Sequence, residues 1–422
     1  MSNLNIILIV VFIVAAVGAT LIFAGIIPIA GGPAALAGTV NIWGTIPSRD
    51  FLPLTDAYSG VNRNITVNYR QISPTVFDEA LAEALATGTG PDIFLLSSDS
   101  VLKHRAKIFP IPFSNYPENT FRQDFIAGAE LFLTSDGILG LPLIVDPLVM
   151  FYNRTIFDNA GVAKAPEFWD EFPALVPQLT HRQNASIIQS GVALGGARNI
   201  SRVKDVISAL ILQTGNPIVT RSDDTYESVL DESESLSALD FYTGFANSAL
   251  DVYSWNESLP NARTAFAAGN VAIYFGPASE LFTIRDANPN LDFDVKSLPQ
   301  VRDGDLANFG RVYAFAINRN STNLPVAATA VFGLSAANVL PFLTSSLSLP
   351  PARRDLLAAP QTGTYLPIFY RSALQARGWF DPDPARTGEI FRRMASDVIT
   401  GRADTSEALS DAAAEIELLL QR

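Results

Sequence analysis

Apolar residues are distributed along the chain in three regimes: one continuous run, a long stretch of alternating short strands and amphipathic helices, and a purely helical end. The run covers Ile6 to Ile27, broken only by small residues such as Gly18, Thr20 and Gly25, and no Asp, Glu, Lys or Arg precedes Arg49. A helix of that length is roughly 33 Å long at about 1.5 Å per residue, enough to cross a hydrocarbon core of about 30 Å. Pro28 and Gly31-Gly32-Pro33 end it, and Ala34 to Gly38 reads as a flexible tether. Residues 1–38 are therefore expected to form a membrane anchor and tether, with the large charged remainder outside the membrane. A cleaved signal peptide is the competing reading, because Ala35-Leu36-Ala37 has the small-x-small form of a cleavage site.

Beyond the tether the period changes. Val40-Asn41-Ile42-Trp43 reads as a short strand, Phe51 to Tyr58 as a short helix, and Ile65, Val67 and Tyr69 alternate with Thr66 and Asn68 as in a half-buried strand. Ser73 is placed to cap a helix starting at Pro74, whose apolar face is Phe77, Ala80, Leu81, Ala84 and Leu85 and which Gly88 stops. Ile93 to Leu96 resumes as a buried strand. Strand, helix, strand, helix, strand implies right-handed crossovers and a parallel sheet with its ligand crevice at the carboxyl ends of the strands. Trp43 to Ser48 and Ser97 to Asp99 are then expected at the rim of a cleft.

Helical spacing returns at the C-terminus. Ile390, Met394 and Val398 form one face, Gly401 closes that helix, and Asp404 caps the next, whose stripe is Leu409, Ala412, Ala413, Ile416 and Leu420. These stripes read as core packing, as do Trp169 and Phe172. Gly195-Gly196 reads as a turn, because no Walker-type lysine follows it.

Composition narrows the function. A chain of 422 residues, 48% hydrophobic and 17% charged, is long enough for two lobes. Its 29 Lys+Arg against 42 Asp+Glu give a net charge of −13, which excludes a basic footprint for nucleic acid. There is no cysteine, and His104 and His181 are the only histidines, so thiol catalysis and His/Cys metal cages are excluded by inventory. No cofactor, metal site or catalytic residue is expected.

Several segments occur in an order that resembles the family 1 extracellular solute-binding proteins, the maltose-binding-like, sugar-type receptors of ABC importers. Gly88-Thr89-Gly90-Pro91-Asp92-Ile93 is similar to that family's G-x-G-P-D-I/V step. Asp136-Gly137, Gly140-Leu141-Pro142 and Phe151-Tyr152-Asn153-Arg154 follow as in its DGK-x-YGLP…LYYNK run. Ala160-Gly161-Val162, Pro166 and Trp169-Asp170-Glu171-Phe172 resemble the next segment, and Phe266 to Ile273 resembles F-x-x-GKVAM. Thr364-Tyr365-Leu366-Pro367, Ile399-Thr400-Gly401 and Glu407 to Ala412 complete the series, which spans about Val40 to the C-terminus.

The resemblance implies an α/β, two-lobed periplasmic-binding-protein type II fold with hinge crossovers, here preceded by one N-terminal transmembrane helix. Motif placement puts the crossovers near Leu143–Pro147 and Gly310–Ala316, with a final return near Leu343–Leu349. The lobes expected are 39–146 plus 313–345 and 147–312 plus 346–422. It also implies a monomeric, non-enzymatic receptor outside the membrane that hands a small solute, a mono- or oligosaccharide, to ABC permease subunits. Contact residues carried over with the motifs are Trp43, Asp99, Asp146, Tyr274, Phe275, Arg311, Tyr313 and Tyr365. Tryptophans of maltose-type receptors align with Leu96, Ala278 and Gly388, which puts a long maltodextrin platform in doubt and leaves a different sugar or a polyol phosphate open. The acidic balance argues against strongly anionic solutes, although Arg311 offers one local counter-charge. A surface sensing or adhesion module and a glycoside hydrolase are the alternative readings.

Overall fold

The computed structural model describes residues 36–184 and 186–421. The span expected over Ile6–Ile27 lies outside the described residues; among those described, no helix is long and apolar enough to cross a membrane.

The first lobe is built as the alternation predicts, from β1 (Gly38–Gly44), α1 (Ser48–Val61), β2 (Ile65–Gln71), α2 (Phe77–Ala86) and β3 (Ile93–Ser97). Strand β1 lies between β2 and β3 and is parallel to both. Helix α2 starts at Phe77, not at Pro74: the Ser73 hydroxyl lies 2.9 Å from that of Thr75, residues 74–76 form a turn, and the N-cap position falls to Val76. The Ser73 hydroxyl is taken up by Thr75 within that turn and caps no helix N–H.

Two long strands then tie this lobe to the second. Strand β4 (Leu141–Asn153) is buried throughout except at Asp146 and Tyr152, because both its faces are covered. Further along come β5 (Ser186–Val192), α3 (Val203–Gln213), β6 (Val271–Pro277), β7 (Phe293–Ser297) and β8 (Asn308–Ile317). The first half of β4, up to Pro147, pairs antiparallel with β8, while its second half, from Leu148, pairs with β6 and, from Val149, with β7. Strand β8 in turn pairs with β3 from Tyr313 to Ile317. The two crossing strands therefore belong to both lobes.

Pro147 has no N–H to donate at the crossing, and Gly310 stands opposite it. A Cβ on Gly310 would lie 3.0 Å from Ala376 Cβ and 3.3 Å from Pro147 Cα, so the close approach of the strands requires glycine there. The segment 350–353, just beyond Leu343–Leu349, runs beside the first half of β4: Val145 N donates to Pro350 O at 2.8 Å and Ala352 N to Leu143 O at 2.9 Å.

Helices α4 (Pro384–Thr400) and α5 (Thr405–Leu420) close the second lobe. Gly401 ends α4 at φ 68°, and the Asp404 carboxylate caps α5 through Glu407 N at 2.8 Å. The second lobe's interior is aromatic: Trp169 packs on Phe172, Phe241 and Phe275, and Phe151, Phe266 and Tyr274 pack on one another. Each such side chain contributes about 1.5–3 kcal/mol when fully buried.

Candidate functional site

Between the lobes lie two adjoining cavities that share Arg311 and Pro384. One, of about 240 Å³, is walled mainly by the first lobe: Thr45 after β1, Asp78 and Phe77 on α2, Ser97 and Asp99 after β3, and Tyr313 on β8. These are the carboxyl ends of parallel strands, where the crossover geometry places a ligand crevice. The other, of about 390 Å³, lies against the second lobe, at the first turn of α3 and the start of α4.

Arg311 projects from the crossing strand β8 into the junction of both. Its Nε donates to Asp99 Oδ2 at 2.7 Å, and its two terminal nitrogens donate to Asp205 at 2.8 and 3.1 Å. Asp99 belongs to the first lobe and Asp205 to the first turn of α3 in the second, so one guanidinium staples the lobes together. Burial opposes the charge on Arg311, but the carboxylates of Asp205 and Asp99 more than offset it and hold the group well above its ordinary value. The reciprocal balance applies to Asp99: burial raises it, and Arg311, then Lys204, bring it below the usual carboxylate range. The Ser97 hydroxyl donates to the other Asp99 oxygen at 2.5 Å.

A second tier of charges supports this one. Lys204 Nζ donates to Asp381 at 2.6 Å, and to Pro384 O and Thr387 Oγ1 at 3.2 Å each, so its three protons are all used. Burial pushes Asp381 up to about 6 against the pull of Lys204, with Asp99 adding to the rise. Arg202, at the N-cap of α3, donates to Glu280 at 2.9 Å, while its Nε is buried with no partner. At the outer edge Lys103 reaches across to Asp383 at 3.5 Å and bonds Asp78 at 2.7 Å. His104, then Lys103, hold Asp78 well below its ordinary value against its burial.

Of the residues singled out in the sequence, Asp99, Arg311 and Tyr313 line these cavities. Burial pushes the Tyr313 hydroxyl up to about 12, with Asp146 adding to the rise. Asp146 is the cross-strand partner of Arg311, but its carboxylate accepts from Ser279 N at 3.0 Å and Ser279 Oγ at 2.6 Å, which ties the crossing to the second lobe. Trp43 lies outside both cavities with Arg70 over its ring, 4.6 Å from the centroid. Tyr274 and Phe275 sit in the second lobe's interior, Tyr274 donating to Glu280 at 2.6 Å. Tyr365 lines a separate surface pocket with Arg154 and Arg285.

Missing from the sequence reading were Arg202, Lys204, Asp205 and Asp381. The signal was present for three of them. Every residue of α3 from Val203 to Ile211 is buried, so the helix has no solvated face, yet it opens on Arg202-Val203-Lys204-Asp205. Charges in the first turn of an otherwise apolar helix must find partners or a ligand.

Two α/β lobes with charged cavities at the strands' carboxyl ends place a candidate ligand cleft between them, the architecture of a two-lobed binding-protein fold. The sequence profile described as "Bacterial extracellular solute-binding protein" matches residues 51–345, and the chain belongs to that family. A binding protein of Brucella abortus (strain 2308) is 23% identical over 280 residues, 65% of this chain and 65% of the relative, so the match spans just under two thirds of its length. Among solved structures, the cyclic α-maltosyl-1,6-maltose binding protein of Arthrobacter globiformis has a TM-score of 0.77 at 17% identity, covering 92% of this chain and 100% of that one. An ABC transporter solute-binding protein of Thermotoga lettingae, bound with α-D-tagatose, has a TM-score of 0.70 at 20% identity, covering 91% and 100%.

Proposed function

We propose that the chain is the solute receptor of an ABC-type importer, which captures a small sugar-like solute between its lobes without chemical turnover and presents it to permease subunits. The observation that carries this reading is the paired cavity at Arg311. Its walls come from both lobes and from the strand that joins them, so a solute seated there is in contact with everything that moves on closure. A ligand held by both lobes favours the closed arrangement by the difference in its affinity for the two states. The sugar-binding neighbours in fold support the solute class. The run Ile6–Ile27 is read as the anchor that keeps the receptor on the outer face of the membrane.

Two measurements test these parts separately. Thermal melting of the purified full chain against a panel of mono- and oligosaccharides is expected to show a concentration-dependent rise for at least one solute, because a ligand of the native state stabilises it by mass action. A flat response across sugars, or release of a hydrolysed product, contradicts the receptor reading. Alkaline carbonate extraction of cell membranes is expected to leave the chain in the pellet, and recovery in the supernatant contradicts the anchor.

A further inference from the structure

The cavity against the second lobe is lined by Arg198, Arg202, Lys204, Arg311 and Arg392, with Asp205 the one carboxylate among its lining residues. Five cations against one anion stand out on a chain whose net charge is −13. Carboxylates that do not line this cavity pair with three of them: Asp99, Glu280 and Asp381 are only 9%, 5% and 1% exposed. Lys204 spends all three protons on Asp381, Pro384 O and Thr387, so the donors left for a solute belong to the arginines.

We infer that the solute carries an anionic group, a phosphate or a carboxylate, which docks in this second cavity while its neutral polar part occupies the first. The inference rests on the receptor reading above and names its solute class. Donors decide it more than net charge. A guanidinium has five N–H groups. Arg311 commits three bonds to Asp99 and Asp205, so it retains donors. Arg202 commits one short bond, from a terminal nitrogen to Glu280, and its other terminal nitrogen stands 3.7 Å from Asp205, so its fork also retains N–H groups. A planar anion oxygen pair is the acceptor that suits such forks. Arg202 provides no side-chain cap for the eleven-residue α3, so the positive end of that helix adds to the same field. The lining offers little that favours a neutral sugar ring: Pro384, Ala385 and Gly388 stand where a stacking platform would need aromatic faces.

The test is titration calorimetry of the full chain in detergent with D-glucose, maltose, glucose 6-phosphate, glucuronate and inorganic phosphate. At least one of the two anionic sugars is expected to bind tenfold or more tightly than glucose and maltose, and comparing the two distinguishes phosphate from carboxylate. R198Q at the cavity wall, where the side chain holds no bond that folding needs, is expected to weaken that binding at least threefold and to leave the melting temperature unchanged. R202Q is expected to weaken it tenfold or more. Binding of inorganic phosphate that is lost in R202Q supports the same site. If a neutral sugar binds as well as or better than both anionic ones, the receptor reading stands and this inference falls. If no compound binds, both fall. Binding of an anionic sugar that neither arginine variant weakens also overturns the assignment.

Discussion

Replacing Arg311 with glutamine removes the three bonds through which one side chain joins Asp99 to Asp205, and it leaves those two carboxylates without their shared partner in the cleft. Their side chains are 12% and 5% exposed, and that of Arg311 is 19% exposed, so the pair is screened far less than a surface one. Removing one partner of a buried ion pair costs about 3–5 kcal/mol, chiefly because a charge is left without compensation. On opening, each carboxylate regains water, so the cost falls on the closed arrangement alone. Taking the lower end, about 3 kcal/mol, the closed-to-open ratio falls roughly 100-fold. The chain contains no cysteine, so L52C on α1 and L418C on α5, both more than half exposed, accept spin labels without background. Pulsed electron-electron distance measurements are expected to show a longer, broader inter-lobe distribution in R311Q than in the parent, and R311Q/D205N is expected to recover part of the shift. Identical distributions in parent and R311Q would refute the claim that this bridge holds the lobes together.

Further outcomes follow from the same geometry. Asp381 binds its proton more tightly in the folded chain, at about 6 against an ordinary 3.8. Its contribution to stability is therefore fully present below about pH 3.8 and is lost as pH rises through about 6, by roughly 3 kcal/mol at most. D381N is expected to flatten the fall in denaturant midpoint across that window, and an unchanged slope counts against it. G310A places a methyl 3.0 Å from Ala376 Cβ and is expected to lower stability by about 1–3 kcal/mol, read as a drop in melting temperature. W169A removes a side chain that is 4% exposed and whose indole donates to the buried Gln213 at 2.8 Å. It is expected to cost about 3–5 kcal/mol in chemical denaturation, and a loss under 1 kcal/mol would contradict the packing assignment.

The first lobe was legible because strand and helix patterns alternate there, and the parallel pairing they imply is the pairing of β1 with β2 and β3; the order β2-β1-β3 comes from the structure. Helix α2 departed from the pattern where a proline turn overrode the capping signal at Ser73. The site was harder to read for a physical reason. Every residue of β6 is buried, so alternation along Tyr274-Phe275 carries no information about which residue faces a cleft. Trp43 stands at a strand's carboxyl end, yet Arg70 on the neighbouring strand takes its ring. Arg202, Lys204 and Asp205 gave the opposite cue, charges opening a helix that is otherwise buried, but their partners Glu280 and Asp381 lie 78 and 177 residues away from Arg202 and Lys204. Contacts of that separation are set by tertiary packing within the second lobe and not by any local period.

A crystal structure of the chain with the solute that most raises its melting temperature tests the central claim most directly. The account predicts density enclosed by both lobes, within hydrogen-bonding distance of Arg311 and touching the cavity walls at Tyr313 and Arg202. Density confined to the outer surface, such as the pocket beside Arg285 and Tyr365, with no solute between the lobes, would contradict it.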